Sequence, residues 1–209
     1  MTRQSETSRS EFIPPFSKSA DANKDHILEQ LQACLKPHDK VLEIASGTGQ
    51  HAVHFSQHMP DIVWQSSDLD LTTFGLEQVI AAHPRPNLPT PLRLDIGNWP
   101  PLAASYNAVY SANCIHIIGS ELLAPYVAGA ARSLGQGGLM LLYGPYKYDG
   151  DFTTESNAGF DQFLRSTYDG GGIKDFEMLD QLATDNGLEL ESDTAMPANN
   201  QFLIWRKTG

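Results

Sequence analysis

Gly47-Thr48-Gly49 follows the apolar run Val41-Leu-Glu-Ile44 and precedes a stretch with helical spacing at Ala52, Val53 and Phe55. Glycines at such a strand-to-helix turn let the backbone come close to a ligand and aim free helix N–H groups at it. Further on, Ser67-Asp68-Leu69-Asp70 places a carboxylate at the end of a second strand-like run. In open α/β sheets that position lies where the ribose diol of a nucleoside cofactor sits. Glu43, inside the first run, adds a negative charge just ahead of the glycines. A charge of that sign suits the ammonium and sulfonium groups of S-adenosylmethionine and opposes a pyrophosphate.

Gly47-x-Gly49-x-x-Ala52 also satisfies the dinucleotide fingerprint, so an NAD(P)-dependent oxidoreductase is a rival reading. Tyr143-x-x-x-Lys147 has the spacing of a dehydrogenase Tyr/Lys pair, which works when both residues share one helix face. Gly144-Pro145, directly after a strand-like run, argues against that helix. The sign of Glu43 turns the choice toward S-adenosylmethionine. Two readings then precede the oxidoreductase: first a methyltransferase, and second a non-catalytic S-adenosylmethionine-binding protein.

Methyl transfer is an in-line displacement that depends chiefly on positioning, with a base needed only for a protonated nucleophile. Asn113 and His116 follow the fourth strand, where the methyl group should point, and His116 is the expected base. Its alternative is a loop-holding hydrogen bond. Asn113 is placed with both the catalytic and the cofactor-binding residues. Tyr143 and Tyr146 end the fifth strand near the same mouth, and Tyr146 joins the catalytic candidates. Asn199-Asn200 lie in the last hairpin loop. All four are acceptor contacts or simply packing and turn residues. His51, His54 and His58 share a helix face, but no carboxylate or cysteine completes a metal set, and no metal is expected. Trp64, Trp99 and Trp205 read as core or cofactor-edge packing.

These residues require a frame. Residues 1 to 11 read as a polar tail, and Phe12-Ile-Pro-Pro-Phe16 as an extended segment leading to a helix with Ile27, Leu28, Leu31 and Leu35 on one side. Strands are expected at 62–64, 91–94, 108–110 and 139–143. Asp70 is read as capping a helix that runs to Ala82, and Ser120 one that ends near Leu134. A final helix spans Lys174 to Asn186, followed by strands 188–194 and 201–205. The loop between the last two is too short for a parallel crossover, so that pair must be antiparallel. The whole reads as a doubly wound α/β fold, a mostly parallel seven-stranded Rossmann-like sheet closed by an antiparallel pair. Residues 1–25 are taken as a tail and possible lid over the strand ends, and 26–209 as one domain.

With 25 acidic against 14 basic residues the net charge is −11, and Lys and Arg are scattered apart from Arg206-Lys207. Such a surface repels phosphate backbones, so DNA is not expected and a small acceptor is. Cys34 and Cys114 show no paired spacing, and no run approaches the roughly 20 apolar residues that cross a bilayer. A cytoplasmic protein with no membrane partner is the expectation.

Val41 to Gly49, Ser67-Asp68, Leu94-Asp95-Ile96 and Leu134-x-x-Gly137-Gly138 together resemble the successive motifs of class I S-adenosylmethionine-dependent methyltransferases. Phe16 to Asn23, Ile44 to Phe55, Trp64 to Asp68, Asn113 to His116, Tyr143 to Tyr146, Ser156-Asn157 and Pro197 to Asn200 are similar, more narrowly, to the methyltransferase-like protein 26 family. The resemblance implies Ala45, Ser46, Gly47 and Gly49 beneath the methionine part with Glu43 nearby. It also implies Asp68 on the ribose hydroxyls, and Asp95 with Ile96 at the adenine. Ala45 departs from the family's first glycine, which bears on the path of the loop.

Overall fold

The computed structural model describes residues 13–209; the polar tail read over residues 1 to 11 lies outside them. Helix α1 (Lys18–Cys34) is capped by Ser17, whose hydroxyl accepts from Ala20 N. It buries Ile27, Leu28 and Leu31. It runs without a break past residue 25, the boundary expected from the sequence. Alternation follows: β1 (Lys40–Glu43), α2 (Gln50–His58), β2 (Val63–Asp68), α3 (Leu76–Ala82), β3 (Leu92–Arg93) and β4 (Tyr106–Ala112). Then come the short α4 (Cys114–Ile117), α5 (Leu123–Ser133) and β5 (Leu134–Gly144). A small hairpin of β6 (Lys147–Tyr148) and β7 (Asp151–Phe152) precedes α6 (Glu155–Thr167) and α7 (Phe176–Asp185). Strands β8 (Leu188–Met196) and β9 (Asn200–Lys207) close the chain.

The seven-stranded sheet has the order β3-β2-β1-β4-β5-β9-β8, with the hairpin β6-β7 separate. The first five strands run parallel, whereas β9 lies antiparallel to both β5 and β8. Because side chains alternate along a strand, each central strand feeds two cores. Val41, Tyr110, Leu141 and Phe202 pack on one face with Ile27, Phe55 and Ile80. Leu42, Val109, Leu142 and Leu203 pack on the other with Tyr126, Ala130 and Leu179. The order reverses between β1 and β4, which opens a crevice at their carboxyl ends.

Three local readings need correction. Asp70 does not cap α3: its carboxylate accepts from Thr72 and Thr73 in a preceding turn, and α3 starts after Gly75. Ser120 opens a 3-10 turn, and α5 grows directly out of it from Leu123. Strand β5 begins at Leu134 rather than Leu139, because the expected turn at Gly137 is a register shift within the ladder.

One close approach fixes α5. A Cβ on Gly129 would lie 2.2 Å from the Trp99 ring, whose Nε1 donates to Ser133 Oγ at 3.0 Å. Alanine adds about 1 kcal/mol of helix propensity, but overpacking costs about 1–3 kcal/mol. Gly129→Ala should therefore lower the urea midpoint; an increase would show that Trp99 is not seated against this helix.

Candidate functional site

Strands β1 and β4 are each followed by a residue in the left-handed region, Ala45 (φ 56°) and Asn113 (φ 59°). Asparagine tolerates that conformation, whereas alanine bears a cost of about 1–2 kcal/mol. The position that would hold the family's glycine is thus one where glycine's freedom is needed. Gly47 and Gly49 continue the turn at φ 53° and 74°. The Gly47 N–H donates to Asp68 Oδ2 at 2.9 Å, tying the loop to the end of β2.

Behind the loop lies a buried polar knot. Glu43 is 3% exposed, and its Oε2 accepts from both Ser46 Oγ and Trp64 Nε1 at 2.9 Å. Ser67 N donates to Ser46 Oγ (3.1 Å), and Ser67 Oγ donates to the Glu43 carbonyl (2.6 Å). Burial pushes the Glu43 carboxyl up to about 7, against the lowering effect of the Trp64 and Ser46 donors. His51 Nδ1 is 4.0 Å from Glu43 Oε1, and His51 Nε2 contacts Asn23 Oδ1 at 2.8 Å. Burial lowers His51 to about 4, so it is neutral beside the carboxyl.

Two neighbouring cavities open on this floor. The larger, about 570 Å³, is lined by Ala45, Ser46, Gly47 and Thr48 below and by Pro15, Phe16 and Ser17 at its rim. The rim is held to α2: Ser17 N donates to Gln50 Oε1, and Gln50 Nε2 donates back to the Ser17 carbonyl at 3.3 Å. The smaller, about 290 Å³, lies between α1, α6 and the β8–β9 turn and shares Ser19, Asn23 and Asn113 with the first.

Of the residues singled out from sequence, Ala45, Ser46, Gly47 and Asn113 line the larger cavity. Glu43 and Gly49 are buried at its back. Asp68 is half-buried at the loop; Asp95 is exposed and accepts from Gly97 N at 2.9 Å, capping the turn that contains the half-buried Ile96. His116 and Tyr146 line neither cavity, contrary to the placement expected for a base. The chain after Asn113 coils into α4 and carries His116 inward, where a Cβ on Gly144 would lie 2.3 Å from its Nε2. His116 and Tyr146 pack edge to face at 5.4 Å, and neither ring nitrogen nor the phenol has a hydrogen-bond partner among the described residues. Burial first, and Lys174 second, push His116 down to about 3.

The three α2 histidines do not converge on one point, although the His54 and His58 rings lie 4.3 Å apart. His51 meets Asn23, His54 lies 3.0 Å from Asp25, and His58 bonds the His54 carbonyl. Lys147 sits over the Phe152 ring in the small hairpin, and Tyr143 ends β5, so the Tyr/Lys spacing does not fall on a helix. Asn23, His26, Asn157 and Phe160 line the smaller cavity without having been assigned a role from sequence. Asn23 and Asn157 fall in stretches that carried a family resemblance, whereas His26 and Phe160 do not, and no spacing links α1 to α6.

The architecture, a parallel sheet reversed at β1/β4 and closed by an antiparallel β9, is the class I methyltransferase fold. The chain belongs to the family described as protein of unknown function (DUF938), whose model matches residues 14–207. Among solved structures it is similar to an O-methyltransferase family protein from Burkholderia thailandensis, with 18% identity and a TM-score of 0.70 over 91% of this chain. Human N-acetylserotonin methyltransferase in complex with SAM is similar at 12% identity, with a TM-score of 0.74 over 92%. This chain covers only 60% and 53% of those two proteins. A chain of the Haloferax volcanii complex of the Trm112 methyltransferase activator matches over 92% of this chain and 93% of its own length, at 14% identity and a TM-score of 0.72.

The buried groups fix the pH response. The folded Glu43 pKa of about 7 exceeds its ordinary 4.5, so the folded state binds more protons between those values and loses stability as pH rises through them. His51 and His116 act oppositely: their depressed values favour the fold above about 6.5 and cost stability as pH falls below it. Glu43→Gln should gain stability relative to the parent between pH 5 and pH 8. Urea unfolding at both pH values checks this, and a difference that does not move with pH contradicts it.

Proposed function

We propose that this chain binds S-adenosylmethionine in the larger cavity and is a methyltransferase acting on a small acceptor from the smaller one. The observation that carries the reading is a carboxyl, Glu43, buried directly behind a left-handed loop at the switch point of the sheet. Such a group disfavours a pyrophosphate and gains from a cation. Ala45, Ser46 and Gly47 would hold the methionine part with Gly49 beneath, Asp68 the ribose, and Asp95 with Ile96 the adenine. When bound, the cofactor supplies an electrophilic methyl group. Asn113, at the junction of the cavities, would position the acceptor atom, and the Pro15–Ser17 rim would exclude water.

The likeness to solved methyltransferases supports this reading, and the narrower resemblance is to the methyltransferase-like protein 26 family. The inward placement of His116 and Tyr146 favours a second reading, a non-catalytic S-adenosylmethionine-binding protein. No helix among the described residues is long and apolar enough to cross a membrane. A cytoplasmic location is part of the proposal, and the free Cys34 and Cys114 are compatible with it.

Calorimetric titration separates the cofactor classes. S-adenosylmethionine and S-adenosylhomocysteine should bind one to one and NAD should not. Asp68→Ala should weaken binding by about 10- to 100-fold, as expected for losing a charge-assisted pair of about 1.5–3 kcal/mol. Tight binding of NAD alone defeats the proposal.

A further inference from the structure

The smaller cavity is built almost wholly from neutral groups, although the chain carries a net charge of −11. No Lys, Arg, Asp or Glu lines it. His26, itself exposed, is the one imidazole in the lining, so a carboxylate or an ammonium on a ligand would lose hydration there with no Lys, Arg, Asp or Glu to replace it, which is unfavourable.

Its amide groups are oriented by their own hydrogen bonds. Asn157 is 4% exposed, and its Nδ2 donates to Thr153 Oγ1 at 2.8 Å and to the Asn199 carbonyl at 3.1 Å. Asn200 Nδ2 donates to the Pro197 carbonyl at 3.0 Å and the Ala198 carbonyl at 3.3 Å. Carbonyl oxygens can only accept, so these bonds fix which end of each amide is nitrogen. In both residues the Oδ1 atom has no protein partner among the described residues. Asn23, by contrast, is occupied, since His51 Nε2 donates to its Oδ1. Phe160 and Pro145 supply flat apolar surface in the same cavity.

We infer that the smaller cavity selects an uncharged acceptor that presents an O–H or N–H donor to Asn157 and Asn200 and a flat apolar face to Phe160. This rests on the methyltransferase reading for the word acceptor, while the chemistry of recognition follows from the cavity itself. A ligand that shields either amide oxygen from water without supplying a donor leaves it unpaired, which is unfavourable. A ligand lacking the donor is therefore discriminated against even when it fits by shape.

The test uses four ring compounds of similar size: phenol, anisole, benzoate and benzylammonium. Their binding to the full chain is followed by NMR titration with and without saturating S-adenosylhomocysteine. Phenol should bind at least threefold more tightly than anisole and at least tenfold more tightly than either ion. Asn157→Asp should reverse the order in favour of benzylammonium. Asn200→Asp, on a different element, should shift preference the same way, which keeps the test valid where the first variant fails to fold. Equal binding of phenol and anisole, preference for an ion in the parent chain, or saturation by none of the four overturns the inference. Failure of S-adenosylhomocysteine to bind defeats the methyltransferase reading instead, and the two failures are read separately.

Discussion

A carboxyl group sealed inside the sheet organises this end of the molecule. Glu43 receives hydrogen bonds from Trp64 on β2 and Ser46 in the loop, while Ser67 binds both the Glu43 carbonyl and Ser46. The end of β1 with its loop and the end of β2, about twenty residues apart in sequence, are thereby locked together at the crevice. Burial keeps the acid partly protonated near neutrality, because the two donors only partly offset its lost hydration. The site is thus poised to gain from a positive charge brought to it, which is the physical basis of the proposed cofactor preference.

The sheet supplies the crevice, and the helices supply its walls. Alternating apolar residues on β1, β4, β5 and β9 bind a helical layer to each face, so the strand ends are held firmly while the loops beyond them remain free to vary. On one side α1 reaches across to α2, and Asn23 meets His51 at the boundary of the two cavities. On the other, Asn157 joins α6 to the β8–β9 turn through the Asn199 carbonyl.

The fold was largely legible because strands buried on both faces leave apolar runs, continuous at Leu139 to Tyr143 and broken only by Glu43 at Val41 to Ile44, and glycines mark the turns between them. The turn through Ala45, Ser46 and Gly47 was legible as a turn for the same reason. Helix α6 was not, because its pattern is inverted. Asn157 and Asp161 are buried, whereas Phe160 and Phe163 are exposed, so its apolar residues mark the wrong face. The expectation for His116 rested on its place after β4, and α4 turns the side chain inward within one short coil, a turn of which composition carries no trace. The smaller cavity is assembled from α1, α6 and the β8–β9 turn, which only tertiary structure brings together.

The most direct test of the central role of Glu43 is calorimetry of S-adenosylmethionine binding at pH 7 in two buffers of different ionisation enthalpy, comparing the parent chain with Glu43→Gln. A cation brought near a carboxyl whose titration burial has raised toward neutrality must drive off part of its proton. The account predicts a net proton release in the parent that is smaller in the variant, with weaker binding by the variant at pH 8. Equal proton release and equal affinity in the two proteins would contradict it.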